Sequence, residues 1–386
     1  MSSISPHSQP TLPQELRDHR DTRRLFVGLV CVLMGVGVQM VHSASLSLLR
    51  SSSEHVFLSR HLIYLCVSVL AGWLASLTTP RFLKTHANLL LGVLAGLLVL
   101  VLIPGIGTRV NGAQRWLRAG GISLQPSELG RIIMPIVAVK LMLDQRSKPH
   151  GWLTIPRTLW PLAVVLPLVV REPDLGATVF LAIGFLTALF LGGWPLRYFL
   201  GCGVLVVPAV LSLFALKSYQ LKRITGFMDA WQDLSQAPWQ IRQSLLSLGS
   251  GGLQGTGVGG GWQKLSYLPE ANTDFVFAVI GEELGLAGTL TIIIIWVGVY
   301  LTGMASLKNL PDRSFAAIVG RTLVIQIVLQ ALANVAVVTA MVPPKGVPHP
   351  FISYGGTNLL VTTVAIGFVV AMSRQADSDL HQPAPN

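Results

Sequence analysis

The sequence predicts an all-α polytopic membrane protein: a bundle of ten transmembrane helices with a long extracytoplasmic loop between spans seven and eight. Two observations carry that prediction. Of 386 residues, 51% are hydrophobic and only 12% charged, too little polar surface for a soluble fold of this size. Apolar runs of roughly 20 residues, the length that crosses a hydrocarbon core of about 30 Å as a helix, recur from end to end.

The runs fall near 25–45, 60–79, 87–106, 128–143, 159–171, 175–193, 198–216, 274–304, 318–342 and 355–373. Before them stands a polar tail, 1–24, containing QELRDHRDTRR, and after them a short one, 374–386. The first run is full length and lacks a small-residue cleavage pattern, so it reads as a retained span. Cys31, Cys66 and Cys202 each lie inside an apolar run and read as small core residues, neither a disulfide set nor a metal site. Basic residues beside short loops mark the cytoplasmic side. Arg17, Arg20, Arg23 and Arg24, then Arg81 and Lys84, then Arg146, Lys148 and Arg157, then Lys308 and Arg313 fall on one face if both termini are cytoplasmic. The formal charge of +11 is scattered among loops and forms no single stripe, which argues against nucleic acid and for anionic lipid or phosphate-bearing ligands.

Three features land on the opposite, outer face: the loop TRVNGAQRWLRAGGISLQPSE, the REPDLG turn, and the segment 217–273, whose end runs into KLSYLPEANTDFVFAVIGEELG. The glycine-rich stretch SLGSGGLQGTGVGGGWQ has no βαβ unit around it, so its glycines serve backbone turns and close approach, not a nucleotide. Pro269 and the Asn272-Thr273 pair suit a helix start near Asp274, which sets Asp274 at the outer mouth, either as a cap on the helix dipole or as a chemical group. Glu282 and Glu283 lie about 12 Å deeper at 1.5 Å per residue, where charge normally faces protein or a wet cavity. At about 100° per residue, Glu283 points almost opposite to Asp274 and Glu282 roughly 80° round. Glu128, Arg131, Lys140, Glu282 and Glu283 therefore read as structural intramembrane charges, with Arg131 or Lys140 as partners for the deep pair. Asp274 and Glu270 remain for outer-face chemistry, beside Arg115, Arg118, Arg223, Arg242, Lys264 and Lys345. A carboxylate takes a proton from a sugar hydroxyl, and guanidinium groups grip phosphate oxygens, a pairing that suits glycosyl transfer from a lipid-linked diphosphate. Trp116 and Trp262 stack on sugar faces or anchor at the interface; both readings stay open.

GAQRWLRAGGISLQPSELGR, EPDLGAT, SLGSGGLQGTGVGGGWQKLSYLPEANTDFVFAVIGEELG and PPKGVPHPFISYGGTNLL resemble, in order, successive signatures of the SEDS (FtsW/RodA/SpoVE) family. The resemblance implies a ten-helix fold in the bacterial cytoplasmic (inner) membrane and a peptidoglycan glycosyltransferase that polymerises lipid II. It implies a class B penicillin-binding protein transpeptidase and other division or elongation proteins as partners. It places the catalytic residue at Asp274. The QKLSYLPEA and PPKG-x-P-x-PFISYGG blocks look more like the division type. Three departures stand out. Asn272 replaces the usual histidine before Thr-Asp, and an amide cannot relay a proton or bind a metal as imidazole does. Arg131 replaces a lysine, and His349 an apolar residue.

In the implied reaction Asp274 is general base on the acceptor's N-acetylglucosamine 4-hydroxyl, which attacks the anomeric carbon of N-acetylmuramic acid with inversion. The substrate set is Arg115, Trp116, Arg118, Lys264 and Glu270, with Arg223, Arg242 and Lys345. An aspartate with a pKa near 3.9 is a feeble base, so partial burial raises it or a divalent cation, Mg or Mn, shares its charge; no metal ligand is assigned. Two other readings use the same residues: a non-catalytic scaffold that activates the transpeptidase, and a lipid II flippase.

Overall fold

The structure is a computed structural model that describes residues 14–44, 53–110, 112–120, 122–145, 154–200, 227, 231, 233, 237–265, 268–343 and 345–381. It is mostly helical: α1 (Gln14–Ala44), α2 (Ser53–Ser76), α3 (Pro80–Leu102), α4 (Pro126–Asp144), α5 (Thr154–Arg171), α6 (Leu175–Leu191), α7 (Trp239–Ser250), α8 (Val276–Ala305), α9 (Phe315–Val338) and α10 (Gly356–His381). Seven of these, α1, α2, α3, α5, α8, α9 and α10, are long and apolar enough to cross a membrane. α6 has 17 residues and is apolar but shorter, and α4 carries Glu128, Arg131, Lys140 and Asp144. The expected seventh span, 198–216, lies almost wholly outside the described residues.

Burial sorts the helices. α9 and α10 are buried along most of their length, while α2, α3, α5 and α8 leave broad apolar faces open, among them Ile63, Trp73, Leu89, Ile294 and Leu301. Those faces suit acyl chains. α3 begins seven residues earlier than its apolar run, because Thr79 caps Phe82 N–H (3.3 Å) and Pro80 occupies the first turn, taking Arg81 and Lys84 into the helix.

Between α3 and α4 the expected loop is a three-stranded antiparallel sheet, β1 (Gly107–Val110), β2 (Ala113–Ala119) and β3 (Ile122–Leu124), in the order β1-β2-β3. Trp116 pairs with Thr108 and Leu117 with Leu124. This corrects the all-α expectation. Asn111-Gly112 lies between two β-forming runs, the sequence pattern of a two-residue hairpin turn, and Gly112 has φ +79°.

α8 is broken. Gly285 has φ 66°, ψ −163°, a conformation essentially restricted to glycine, which divides the helix into an inward-packed piece ending at Leu284 and a lipid-facing piece beyond it. The break frees backbone groups that water cannot reach at this depth. The glycine-rich segment satisfies them: Thr256 N–H and Gly257 N–H donate to the carbonyls of Glu282 and Glu283 (both 3.0 Å). Leu286 N–H and Ala287 N–H donate to those of Gly252 (2.9 Å) and Leu253 (3.2 Å). The glycines thus serve close approach to α8, as their composition predicts.

Candidate active site at the outer end of the bundle

Asp274 lies two residues before α8. The helix is capped at Phe275 with no side-chain cap, so the capping role open to Asp274 is not the one it takes. Its backbone carbonyl accepts from Asn334 Nδ2 (2.7 Å), which also donates to Val347 O (2.7 Å); one turn earlier on α9, Gln330 Nε2 donates to Pro348 O (2.8 Å). Two amides on one face of α9 therefore hold the 345–350 segment beside the start of α8. The approach is close: a Cβ added at Gly346 would lie 2.7 Å from Asp274 Oδ2. Tyr354 N–H to Asn272 O (2.8 Å) and Ser353 Oγ to Thr273 O tie the segment down further. Asn272 thus contributes a main-chain acceptor where the resemblance expects an imidazole.

The Asp274 carboxylate makes no hydrogen bond among the described residues and is half-buried. Burial pushes its pKa up to about 7; the negative charge of Glu270 adds to the rise, and Arg115 opposes it. Glu270 is exposed, at φ 56°, and its Oε2 accepts from Thr273 Oγ1 (2.8 Å). Arg115 on β2 forms an ion pair with Asp174 (3.2 Å), the residue that caps α6 through Ala177 N–H (3.0 Å) and accepts from Gln125 Nε2 (3.0 Å). Beside Asp174, Glu172 is fully buried with neither carboxylate oxygen hydrogen-bonded among the described residues, and burial first, then Asp174, lift its pKa to about 8.

The structure gathers part of the expected set. Asp274, Glu270 and Arg115 share one electrostatic neighbourhood, and Lys345 adjoins Gly346 against Asp274. Trp116 and Arg118 stand on the same strand as Arg115, where the β1–β2 register slips between Thr108 and Arg109 and skips Arg115, and Arg118 is exposed. Arg242 is exposed on α7. Arg223 lies outside the described residues.

Lys264 goes elsewhere. Its ammonium is fully buried against the Glu283 carboxylate and donates to Ser43 Oγ (2.7 Å), which itself donates to Glu283 (2.6 Å). The deep carboxylates therefore do not meet Arg131 or Lys140, as their shared depth led us to expect. Glu282 instead accepts the backbone N–H groups of Trp262 (2.6 Å) and Gln263 (3.1 Å), because the glycine-rich segment folds back onto the α8 break. Arg131 pairs with Glu128 (3.0 Å), donates to Gln330 Oε1 (2.8 Å) and lies over the Phe180 ring, while Asn358 Nδ2 donates to Glu128 (3.1 Å). Lys140 pairs with Asp144 one turn on (3.1 Å). His349 stacks on Phe277 and packs beside Trp296, which gives it the role of the apolar residue it replaces.

The residues not singled out from the sequence are Asp174, Glu172, Gln125, Gln330 and Asn334. The REPDLG turn that holds two of them stood among the three outer-face features, and its acids were the available signal.

The chain matches the FtsW/RodA/SpoVE family, described as cell cycle protein, over residues 23–378. It is 34% identical over 379 residues to the probable peptidoglycan glycosyltransferase FtsW of Nitrosomonas europaea, covering 96% of this chain and 95% of that one. It is 37% identical over 368 residues to the protein of the same name in Methylococcus capsulatus, covering 93% and 91%. Among solved structures, one described as structural coordination of polymerization and crosslinking by a peptidoglycan synthase complex has the same fold. Its TM-score is 0.73 at 23% identity, over 91% of this chain and 97% of that one. The crystal structure of the Thermus thermophilus rod shape determining protein RodA superposes with TM-score 0.65 at 25% identity, over 91% and 96%. The chain belongs to the FtsW/RodA/SpoVE family.

Proposed function

We propose that this chain is a peptidoglycan glycosyltransferase that polymerises lipid II for septal wall synthesis. The observation that carries the reading is a half-buried Asp274 carboxylate without a hydrogen-bond partner among the described residues, its pKa near 7, at the outer end of the bundle beside Arg115. Relatives named as peptidoglycan glycosyltransferases over nearly the whole chain support it.

Asp274 takes the proton from the 4-hydroxyl of the acceptor N-acetylglucosamine. That oxygen forms the new bond to the anomeric carbon of the donor N-acetylmuramic acid as the bond to the diphosphate breaks on the opposite face. An α-linked donor becomes a β-1,4 link, and undecaprenyl diphosphate leaves. Arg115 and Lys345 balance the charge of the leaving diphosphate, and Arg118, Trp116 and Arg242 guide the glycan at the exposed rim. Lys264, neutralised by Glu283, drops out of the diphosphate set. No group of three metal-ligating side chains stands together among the described residues. A divalent cation, if bound, would be held by Asp274 and Glu270 and would supply charge neutralisation at the leaving group.

The proposed ten-span topology adds α4, α6 and the apolar sequence run 198–216 to the seven apolar helices, with both termini proposed to be cytoplasmic in the inner membrane. A class B penicillin-binding protein is the proposed partner, supported by a structural neighbour described as coordinating polymerization with crosslinking.

The test is to supply labelled lipid II to the purified chain with and without its transpeptidase, and fluorescent lipid II to vesicles containing it. Glycan polymer with the transpeptidase present is expected. Lipid II movement across the vesicle without polymer would replace the enzyme with a flippase, and activation of crosslinking without polymer would make the chain a scaffold.

A further inference from the structure

The polar interior behind the outer site encloses a small cavity. About 20 Å³ lies between α4, α9 and α10, lined by Arg131, Gln326, Gln330 and Thr362 with apolar side chains such as Leu323 and Val361 around them. Gln326, Gln330 and Thr362 are 5%, 3% and 4% exposed, so this polar lining is buried within the bundle, away from bulk water. The space admits one water molecule, which needs about 10–15 Å³, and nothing much larger.

Two polar atoms of the lining residues lack a hydrogen-bond partner among the described residues. Arg131 Nη1 pairs with Glu128 (3.0 Å) and donates to Gln330 Oε1 (2.8 Å), but the buried Nε–H has no acceptor. Gln326 Nε2 donates to Phe180 O (3.4 Å), which sets the orientation of the amide, and the buried Oε1 has no donor. The two therefore do not bond to each other. The Gln326 amide is held in place from the α6 side, because it lies on Gly184, where a Cβ would stand 2.7 Å from both Oε1 and Nε2. Thr362 Oγ1 donates to Asn358 O (2.7 Å) and keeps its lone pairs for an incoming hydrogen. A buried donor and a buried acceptor left unpaired are each costly. One small molecule that both accepts and donates removes both costs.

We infer that this cavity binds one ordered water molecule, which accepts from Arg131 Nε–H, donates to Gln326 Oε1 and has Thr362 Oγ1 for its second hydrogen. The water joins α4 to α9 next to the direct Arg131–Gln330 bond. Gln330 Nε2 in turn donates to Pro348 O (2.8 Å), in the segment that lies against Asp274, so the water belongs to the packing behind the outer site. The inference does not depend on the reaction assigned to Asp274.

The test is a structure of the purified full chain at a resolution that shows ordered solvent, beside the same structure of Gln326→Met, which keeps the length of the side chain and removes its acceptor. One solvent peak within about 3.2 Å of both Arg131 Nε and Gln326 Oε1 is expected in the unaltered chain. The peak should be lost in Gln326→Met. Absence of the peak with both side chains ordered, a direct Arg131 Nε–Gln326 Oε1 bond, or an acyl chain in the cavity would overturn the proposal. So would a peak that persists unchanged in Gln326→Met, because its partners would then be other groups. Should Gln326→Met not fold, the unaltered chain decides: the peak at both atoms upholds the water, and its absence overturns it.

Discussion

As the proposed base, Asp274 needs a base strength that an ordinary aspartate lacks, and burial in the fold raises its pKa. With its pKa raised to about 7, the carboxylate is a far stronger base than one near 3.9. The protonated form cannot accept the acceptor's proton. Polymerisation under kcat/KM conditions is therefore expected to rise about tenfold per pH unit up to about pH 7 and to level off above it. Initial rates of lipid II polymerisation between pH 5.5 and 8.5 check this; a rate already flat at pH 5.5 would mean an unshifted group. The sequence singled out Asp274 and stated its deficit, leaving burial and a metal as two remedies. It did not show which, because the burial comes from Gly346 and its neighbours, brought in from some seventy positions away by Gln330 and Asn334. Lys264 was misread for a related reason. A lysine in a polar, glycine-rich stretch looks exposed until that stretch folds onto a helix break and carries it against Glu283.

The broken α8 is the element that makes this arrangement possible. At Gly285 any side chain would meet strain at φ 66° and a Cβ lying against Gly255 N and 2.6 Å from Leu253 O. Gly285→Ala is expected to cost ~3 kcal/mol or more, seen as a lower melting temperature and reduced yield of monodisperse protein in detergent. Ala287→Gly, a change within the same helix at ordinary geometry, should cost about 1 kcal/mol or less. The apolar run 274–304 announced this span, and its two flanking pieces follow the expected length. The break itself was not legible, since a single glycine in an apolar run is common in membrane helices. The three-stranded sheet was legible and passed over: Asn111-Gly112 between β-forming runs is a hairpin signal, overshadowed by the helical character of the rest of the chain.

Across the whole molecule, the buried Lys264–Glu283–Ser43 group joins α1, α8 and the glycine-rich segment at one point. Removing one charge strands the other where water cannot reach it. Lys264→Met is expected to destabilise the protein by ~3–5 kcal/mol, and the pair Lys264→Met with Glu283→Gln to recover much of that loss, because no uncompensated charge remains. Thermal melts of the two single variants and the double variant check the coupling. Helix existence, membrane residence and family were readable in composition and ordered motifs. The pairing of charges was not, because depth along a helix says nothing about which distant segment returns to meet it. The central claim concerns one side chain: Asp274 is the base for glycan polymerisation. The most direct measurement is polymer formation from labelled lipid II by Asp274→Asn beside the unaltered chain, each with the same transpeptidase and each matched for melting temperature. Loss of polymer in a folded, transpeptidase-bound variant is predicted, and polymer in undiminished amount would contradict the account.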